Sequence, residues 1–475
     1  MERKRDTIVL YPSPGIGHLI SMVELGKRIL SITPAFSTIS ILIPEAPVNT
    51  GSTAPYIRRV SSSHPSITFH HLPSPISLST FSSPSPHPET LLFRLLQLNN
   101  PNVLQTLQSI SLSFSIRALV YDMFCATVID VTAQLNIPTY CFFTSGAAVL
   151  AVFLHFPTLH RLHSISFKDL QSPLHVPGVP PFSASAMPLP FLDRNDESYH
   201  GFLHATSQIP KSSGIIVNSF DALEPRAMKA ILDGSCVPDG PTRPVYCIGP
   251  LIAPGDSPDK SDCLAWLDSQ PQRSVVFLCF GSLGLFSAAQ LKEIAVGLEK
   301  SGQRFLWVVR SPPTEDKSKR FLAPPEPDLD ALLPEGFMER TKDRGMVVKS
   351  WAPQVAVLKR ESVGGFVTHC GWNSALEAVC EGVPMLAWPL YAEQHMNRVF
   401  MVEEMKIALP LEMDDKGFVS ASQLERGVRE LMESEQGKVL SQRLLAMKES
   451  SMAAMSEGGS SYAALTELAQ LCIGG

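Results

Sequence analysis

Residues 364–377 read Gly-Gly-Phe-Val-Thr-His-Cys-Gly-Trp-Asn-Ser-Ala-Leu-Glu. The apolar run 364–369 predicts a buried strand, Gly371 a tight turn, and Asn373 with Ser374 the opening of a helix. A strand that turns directly into a helix presents backbone N–H groups at the positive end of the helix dipole. An anion such as a diphosphate gains hydrogen bonds and charge compensation there without a lysine. His369 at the strand tip adds a donor, and Glu377, one turn into the helix, offers a carboxylate to a ribose diol. Upstream, Trp351 offers an aromatic face on which a base can stack. Taken singly, each residue has an ordinary reading: Asn and Ser cap helices, Trp fills cores, and His ends strands. Their combination sets the segment apart.

Working outward, short strand-like runs alternate with helical patterns. One series is 275–280, a helix over 288–300, then 305–309, 346–349, 365–369, a helix from Asn373, and 384–388. An earlier series is 7–11, a helix over 19–30, then 38–43, 67–71, 117–121, 139–143 and a helix from Ala147. Runs of this length between helices predict parallel α/β sheets, here two of them. A length of 475 residues agrees, because a single core stops growing at roughly 250 to 300 residues. In the second series, Phe280-Gly-Ser-Leu-Gly284 makes a turn after strand 275–280. Gly281 allows close backbone approach there, and Ser282 offers a hydroxyl to a phosphate.

Pro, Gly, Ser and Asp cluster over 247–262 as in a linker. The expected partition is a first domain over 1–246, the linker 247–262, a second domain over 263–455, and a closing helix within 456–475 that packs back on the first domain. Three Pro- and Ser-rich insertions, 73–88, 172–195 and 311–330, read equally as binding loops or as disorder.

A net charge of -6 supplies no positive field for nucleic acid, which is excluded as a partner. Nine scattered cysteines, odd in number and without a C-x-x-C pair, argue against a disulfide framework or a zinc site and for a reducing, cytoplasmic setting. The apolar stretch 8–11 ends at Pro12, too short for a signal-peptide core. The apolar run 147–156 contains His155 and falls short of the roughly 20 residues a bilayer needs. No transmembrane segment and a monomer are expected.

Near the N-terminus, Tyr11-Pro-Ser-Pro-Gly-Ile-Gly-His18 places a histidine at the carboxyl end of a parallel strand, just before a helix, where side chains face the ligand crevice. Histidine accepts a proton near neutral pH, which a phenol or alcohol needs lost to become a nucleophile. Strand 117–121 leads into Asp122, a carboxylate able to orient an imidazole. With thirteen histidines in the chain, the residues alone leave a His18–Asp122 pairing open.

Residues 351–394 run from Trp351-Ala-Pro-Gln354 through His369-Cys-Gly-Trp-Asn-Ser374 and Glu377 to Glu393-Gln394. They resemble, nearly position for position, the signature box of plant secondary-metabolite UDP-glycosyltransferases. That inverting family is built on the GT-B fold, two Rossmann-like βαβ domains facing each other across a cleft. The resemblance implies that UDP is held by Ser282, Trp351, Ala352, Gln354, His369, Trp372, Asn373, Ser374 and Glu377, with Trp351 stacked on uracil and Glu377 on the ribose. It implies sugar contacts from Thr144, Trp372, Glu393 and Gln394, the terminal Gln being associated with glucose. Glu393 departs from the pattern, since many members carry Asp there. It implies His18 as base and Asp122 as its partner, and so an inverting displacement at C1 of UDP-glucose that leaves a β-glucoside. Residues 12–27 look like the branch that acts on flavonoid and dihydrochalcone phenols. Phe124, Phe142 and Met187 are expected around the acceptor.

No metal is expected: Asp328-Leu-Asp330 fits a metal-binding D-x-D by letter but lies in a Pro-rich loop and reads as solvated surface. UDP-glucose would be a donor substrate, and no cofactor is called for. A nicotinamide dehydrogenase is disfavoured because Pro12 and Pro14 spoil the first Gly-rich turn. A non-catalytic UDP-sugar binder would be expected to have lost His18 or Asp122. Attachment of glucose to an aromatic carbon, using the same base, stays open.

Overall fold

The structure is a computed structural model that describes residues 4–33, 36–45, 52–75, 85, 87–241, 243–254, 261–313 and 325–474. Contacts divide the chain into two units, Met1–Ala253 with Ala453–Gly475, and Pro254–Met452.

The first unit is built on seven strands: β1 (Arg5–Tyr11), β2 (Thr38–Pro44), β3 (Ile67–Leu72), β4 (Phe114–Asp122), β5 (Thr139–Phe143), β6 (Gly214–Val217) and β7 (Val245–Cys247). They are parallel, in the order β3-β2-β1-β4-β5-β6-β7. β2 and β5 are buried along their whole length, as strands must be when helices cover both faces of a parallel sheet. The helices Ile16–Ile32 and Ser460–Gly474 contribute Leu19, Met22, Leu465 and Leu468 to the same core as Ile8, Leu10 and Ile41.

The second unit has six strands: β8 (Val275–Cys279), β9 (Arg304–Val309), β10 (Gly345–Lys349), β11 (Val363–Thr368), β12 (Met385–Ala387) and β13 (Ala408–Pro410). They are parallel in the order β10-β9-β8-β11-β12-β13. Both sheets therefore run outward from their first strand in one direction and continue in the other. The chain order reverses between β1 and β4 in one unit and between β8 and β11 in the other. Ligands of doubly wound sheets gather beyond the carboxyl ends of the strands at that reversal.

Four sequence expectations need revision. The helix after β1 starts at Ile16, so His18 lies in its first turn rather than before it. The helix after β11 starts at Trp372, with Gly371 as N-cap, one residue earlier than expected. Within 172–195 the disorder alternative fails, because Leu174 and Phe191 are 0% exposed and Leu174 bridges to Phe182. The start of the expected linker is packed: Cys247 belongs to β7, and Ile248 and Leu251 join the first core. Residues 76–84 and 86 of the first insertion, 314–324 of the third, and 255–260 lie outside the described residues. Asp328 is the N-cap of the short helix Leu329–Leu332, accepting from Asp330 N and Ala331 N at 3.2 and 3.3 Å.

Candidate functional site

In the first unit, β1 and β4 deliver their carboxyl ends side by side, with Tyr11 in register with Tyr121. This brings His18 and Asp122 together although 104 residues separate them. His18 Nδ1 lies 2.7 Å from Asp122 Oδ2, with the imidazole one-third exposed and the carboxylate fully buried. The other carboxylate oxygen of Asp122 accepts from Phe124 N at 3.2 Å. A carboxylate accepts only, so the ring proton sits on Nδ1 and the basic lone pair on Nε2. Thr144, just beyond β5, places Oγ1 3.3 Å from the same Nδ1.

An aromatic wall adjoins the imidazole. Phe124 meets His18 edge to face at 5.7 Å, and Phe93 and Phe202 each lie 5.6 Å from Phe124. Phe93 and Phe202 sit on the helices Pro88–Leu98 and Glu197–Gln208, and sequence reading missed both. No motif marks them; only the helical spacing of apolar residues could have placed them inward. Phe124 is half-buried beside the His18 imidazole, whereas Phe142 is 0% exposed and packs in the core with Leu10 and Ile216, and Met187 is 2% exposed.

In the second unit, β8 and β11 are neighbours, and the turns that follow them meet around His369. The imidazole fits only because both turns carry glycine at the contact. A Cβ on Gly281 would fall 2.6 Å from His369 Nε2, and one on Gly371 2.4 Å. Gly281 also has φ +70, a conformation glycine adopts without strain. Burial holds the His369 imidazolium down to a pKa of about 4, so the ring is neutral at pH 7. Its Nδ1 is buried with no hydrogen-bond partner among the described residues.

The helix Trp372–Glu381 starts at this turn, and its N-cap, Gly371, has no side chain to cap the first N–H groups. Burial raises the Glu377 carboxyl to about 7, and a hydrogen bond from Gln354 opposes the rise. Gln354 Nε2 donates to Glu377 Oε2 at 2.7 Å and to Ser374 Oγ at 2.8 Å, so its side chain braces these two residues. Trp351 follows Ser350, whose φ is 65, and is 68% exposed, while Ala352 is 4% exposed. An indole so open presents a whole face for stacking.

Ser282 is exposed on the Gly281 loop. The Arg310 guanidinium donates to the carbonyls of Gly281, at 3.3 Å, and of Ser282. Sequence reading missed Arg310, which stands directly after β9. Gln394, 3% exposed, uses Oε1 to accept from Leu390 N and Tyr391 N at 2.9 and 3.0 Å. Its Oε1 thus shapes its own loop. Trp372 is 3% exposed; Asn373 and Glu393 are half-buried. Among the described residues no three His, Cys, Asp or Glu side chains group as a metal site, and no helix is long and apolar enough to cross a membrane.

Residues 235–448 match the family model of UDP-glucoronosyl and UDP-glucosyl transferase. The chain is 53% identical to an anthocyanidin 5,3-O-glucosyltransferase of a Rosa hybrid cultivar, over 98% of each chain. It is 53% identical to a phloretin 2'-O-glucosyltransferase of Malus domestica, over 96% of this chain and 97% of that one. Among solved structures, UGT2 of Phytolacca americana complexed with UDP-2-fluoro-glucose and pterostilbene superposes with a TM-score of 0.87 at 38% identity, covering 98% of this chain and 100% of that one.

Proposed function

Because this chain belongs to the UDP-glucoronosyl and UDP-glucosyl transferase family, we propose that it moves glucose from UDP-glucose to a hydroxyl of a small phenolic acceptor of the anthocyanidin or dihydrochalcone class. The observation that carries the reading is the 2.7 Å contact between His18 Nδ1 and buried Asp122. With Nδ1 fixed by the carboxylate, Nε2 takes the phenolic proton and Asp122 stabilises the imidazolium that forms. The phenolate oxygen attacks C1 of the sugar opposite UDP, the C1–O bond to the diphosphate breaks, and a β-glucoside results. Thr144 is assigned to the sugar or the attacking oxygen, and the edges of Phe124, Phe93 and Phe202 to a flat aromatic acceptor.

In the second unit we assign uracil to Trp351, the ribose diol to Glu377 braced by Gln354, and the diphosphate to Ser282, His369, Asn373, Ser374 and the N–H groups at the start of Trp372–Glu381. Neutral His369 donates a hydrogen bond to the diphosphate without adding charge. Such fixed donors act on the charge that develops as UDP leaves. Glu393 and Gln394 are assigned to the sugar hydroxyls. Nine free cysteines support a reducing compartment, the cytosol, as the setting.

The test incubates the purified chain with UDP-glucose and a panel of phenols and analyses products by mass spectrometry after acid hydrolysis. Acid-labile glucosides are expected, and His18→Ala loses at least about a hundredfold in rate, the usual worth of a positioned base. UDP affinity of that variant stays within twofold of the parent. A variant that kept most of its rate would remove His18 as base, and acid-stable products would move the reaction to carbon.

A further inference from the structure

We propose that Asn397 is a positioning residue that ties the turn assigned to the diphosphate to the acid assigned to the sugar. The inference rests on the assignments of the His369 turn and of Glu393 made above.

Asn397 lies in the helix Gln394–Val399 and is 1% exposed. Its side-chain nitrogen donates to the Cys370 carbonyl oxygen at 2.9 Å and lies 3.4 Å from Glu393 Oε1. An amide nitrogen carries two protons, one for each acceptor. Cys370 is a non-glycine residue with φ 65, a conformation that persists only where the surroundings hold it. It stands between His369 and Gly371, in the turn that begins the helix Trp372–Glu381.

The geometry of the peptide unit gives this contact its consequence. In a trans peptide the C=O of one residue and the N–H of the next point in opposite directions. By drawing the Cys370 carbonyl inward, Asn397 aims the Gly371 N–H to the opposite side, with the other N–H groups at the start of the helix. Its second proton acts on Glu393, one helical turn back, a side chain with several rotamers to lose on being held. A neutral donor restrains the carboxylate without cancelling the charge that would accept from sugar hydroxyls.

The experiment titrates UDP and UDP-glucose separately, by calorimetry, into the full-length parent, Asn397→Ala, Asn397→Leu, Glu393→Ala and the Asn397→Ala/Glu393→Ala double variant. Asn397→Leu keeps a similar volume while removing both donated hydrogen bonds and adding no charge, so it serves if the alanine variant does not fold. Either Asn397 variant weakens UDP about tenfold, the worth of a buried hydrogen bond with its carbonyl left unmatched. It weakens UDP-glucose by a further factor of about three to ten, and this further loss disappears in the Glu393→Ala background, the signature of two residues acting as one. The KM for the phenol stays unchanged.

Equal weakening of UDP and UDP-glucose, or no change in either, would overturn the proposal. If Glu393→Ala leaves the preference for UDP-glucose over UDP intact, the sugar assignment of Glu393 fails and takes the inference with it. If Glu393→Ala abolishes that preference while the Asn397 variants preserve it, the inference alone fails.

Discussion

Glu377 and His369 are pushed toward neutrality by the same burial, from opposite sides: the carboxyl rises to about 7 and the imidazole falls to about 4. The carboxyl's folded value lies above its ordinary 4.5, so its contribution to stability is complete below about 4.5 and is lost as pH rises through about 7. Binding runs the other way. On the proposed assignment a ribose diol donates to the ionised carboxylate, so UDP-glucose, whose diphosphate does not titrate in this range, is expected to bind more tightly from pH 6 to pH 8. The slope approaches tenfold per unit at most below about 7 and flattens above it. Glu377→Gln binds more weakly at pH 8 and loses the slope, because neutral His369 supplies none. Calorimetry at four or five pH values checks this, and a slope that survived in the glutamine variant would remove Glu377 from the ribose. These residues were legible in the sequence because each belongs to a dense motif. Phe93 and Phe202 were not, because only the apolar spacing of their helices marks them, and Arg310 and Asn397 were not, because the fold alone brings them to the Gly281 and Cys370 carbonyls.

At the scale of elements, the turn after β8 and the turn after β11 form one receptacle, and Gly281 is where they touch. Alanine at 281 must hold φ +70, at a cost of about 1–2 kcal/mol, and also displace the His369 ring. Gly281→Ala is therefore expected to bind UDP-glucose at least about tenfold more weakly as well as to melt earlier. Gly417→Ala is the control: its φ is +78 with nothing within 4 Å of the added carbon, so it carries the strain alone. If both variants lost donor affinity equally, backbone strain rather than the His369 contact would be the cause. The strands that build these turns were readable, because a buried parallel strand is a short apolar run between helices: β5 has the expected bounds, and β8 and β9 differ by one residue at one end. β6, β7 and β13, four, three and three residues long, were not read. The helices Pro88–Leu98 and Asn100–Ser113 escaped notice because Asn99 and Pro101 interrupt them and serines dilute the second.

At the scale of the whole molecule, the chain leaves the first unit after Ala253 and returns to it at Ala453. Stability of the first unit therefore depends on residues encoded at the far end of the sequence. Composition and the doubled βα rhythm foretold two sheets, and the closing helix expected within 456–475 is Ser460–Gly474, in the first unit. The helix Ser460–Gly474 places Leu465 and Leu468, each 1% exposed, against the core that holds Leu10, Leu25 and Tyr246. Leu468→Ala removes three buried carbons and costs about 2–5 kcal/mol, depending on how far that core collapses around the gap. The loss belongs to the first unit alone, so hydrogen exchange should accelerate in peptides of β1, β4 and β7, with those of β8 and β11 unchanged. UDP-glucose affinity, a property of residues in the second unit on the proposed assignments, stays within about twofold. Transfer to the phenol, which on the proposed mechanism needs His18 on Asp122, fails at a lower temperature than in the parent. Equal acceleration of exchange through residues 261–452 would mean that the two units unfold as one, and that a late helix stabilises more than the core it enters.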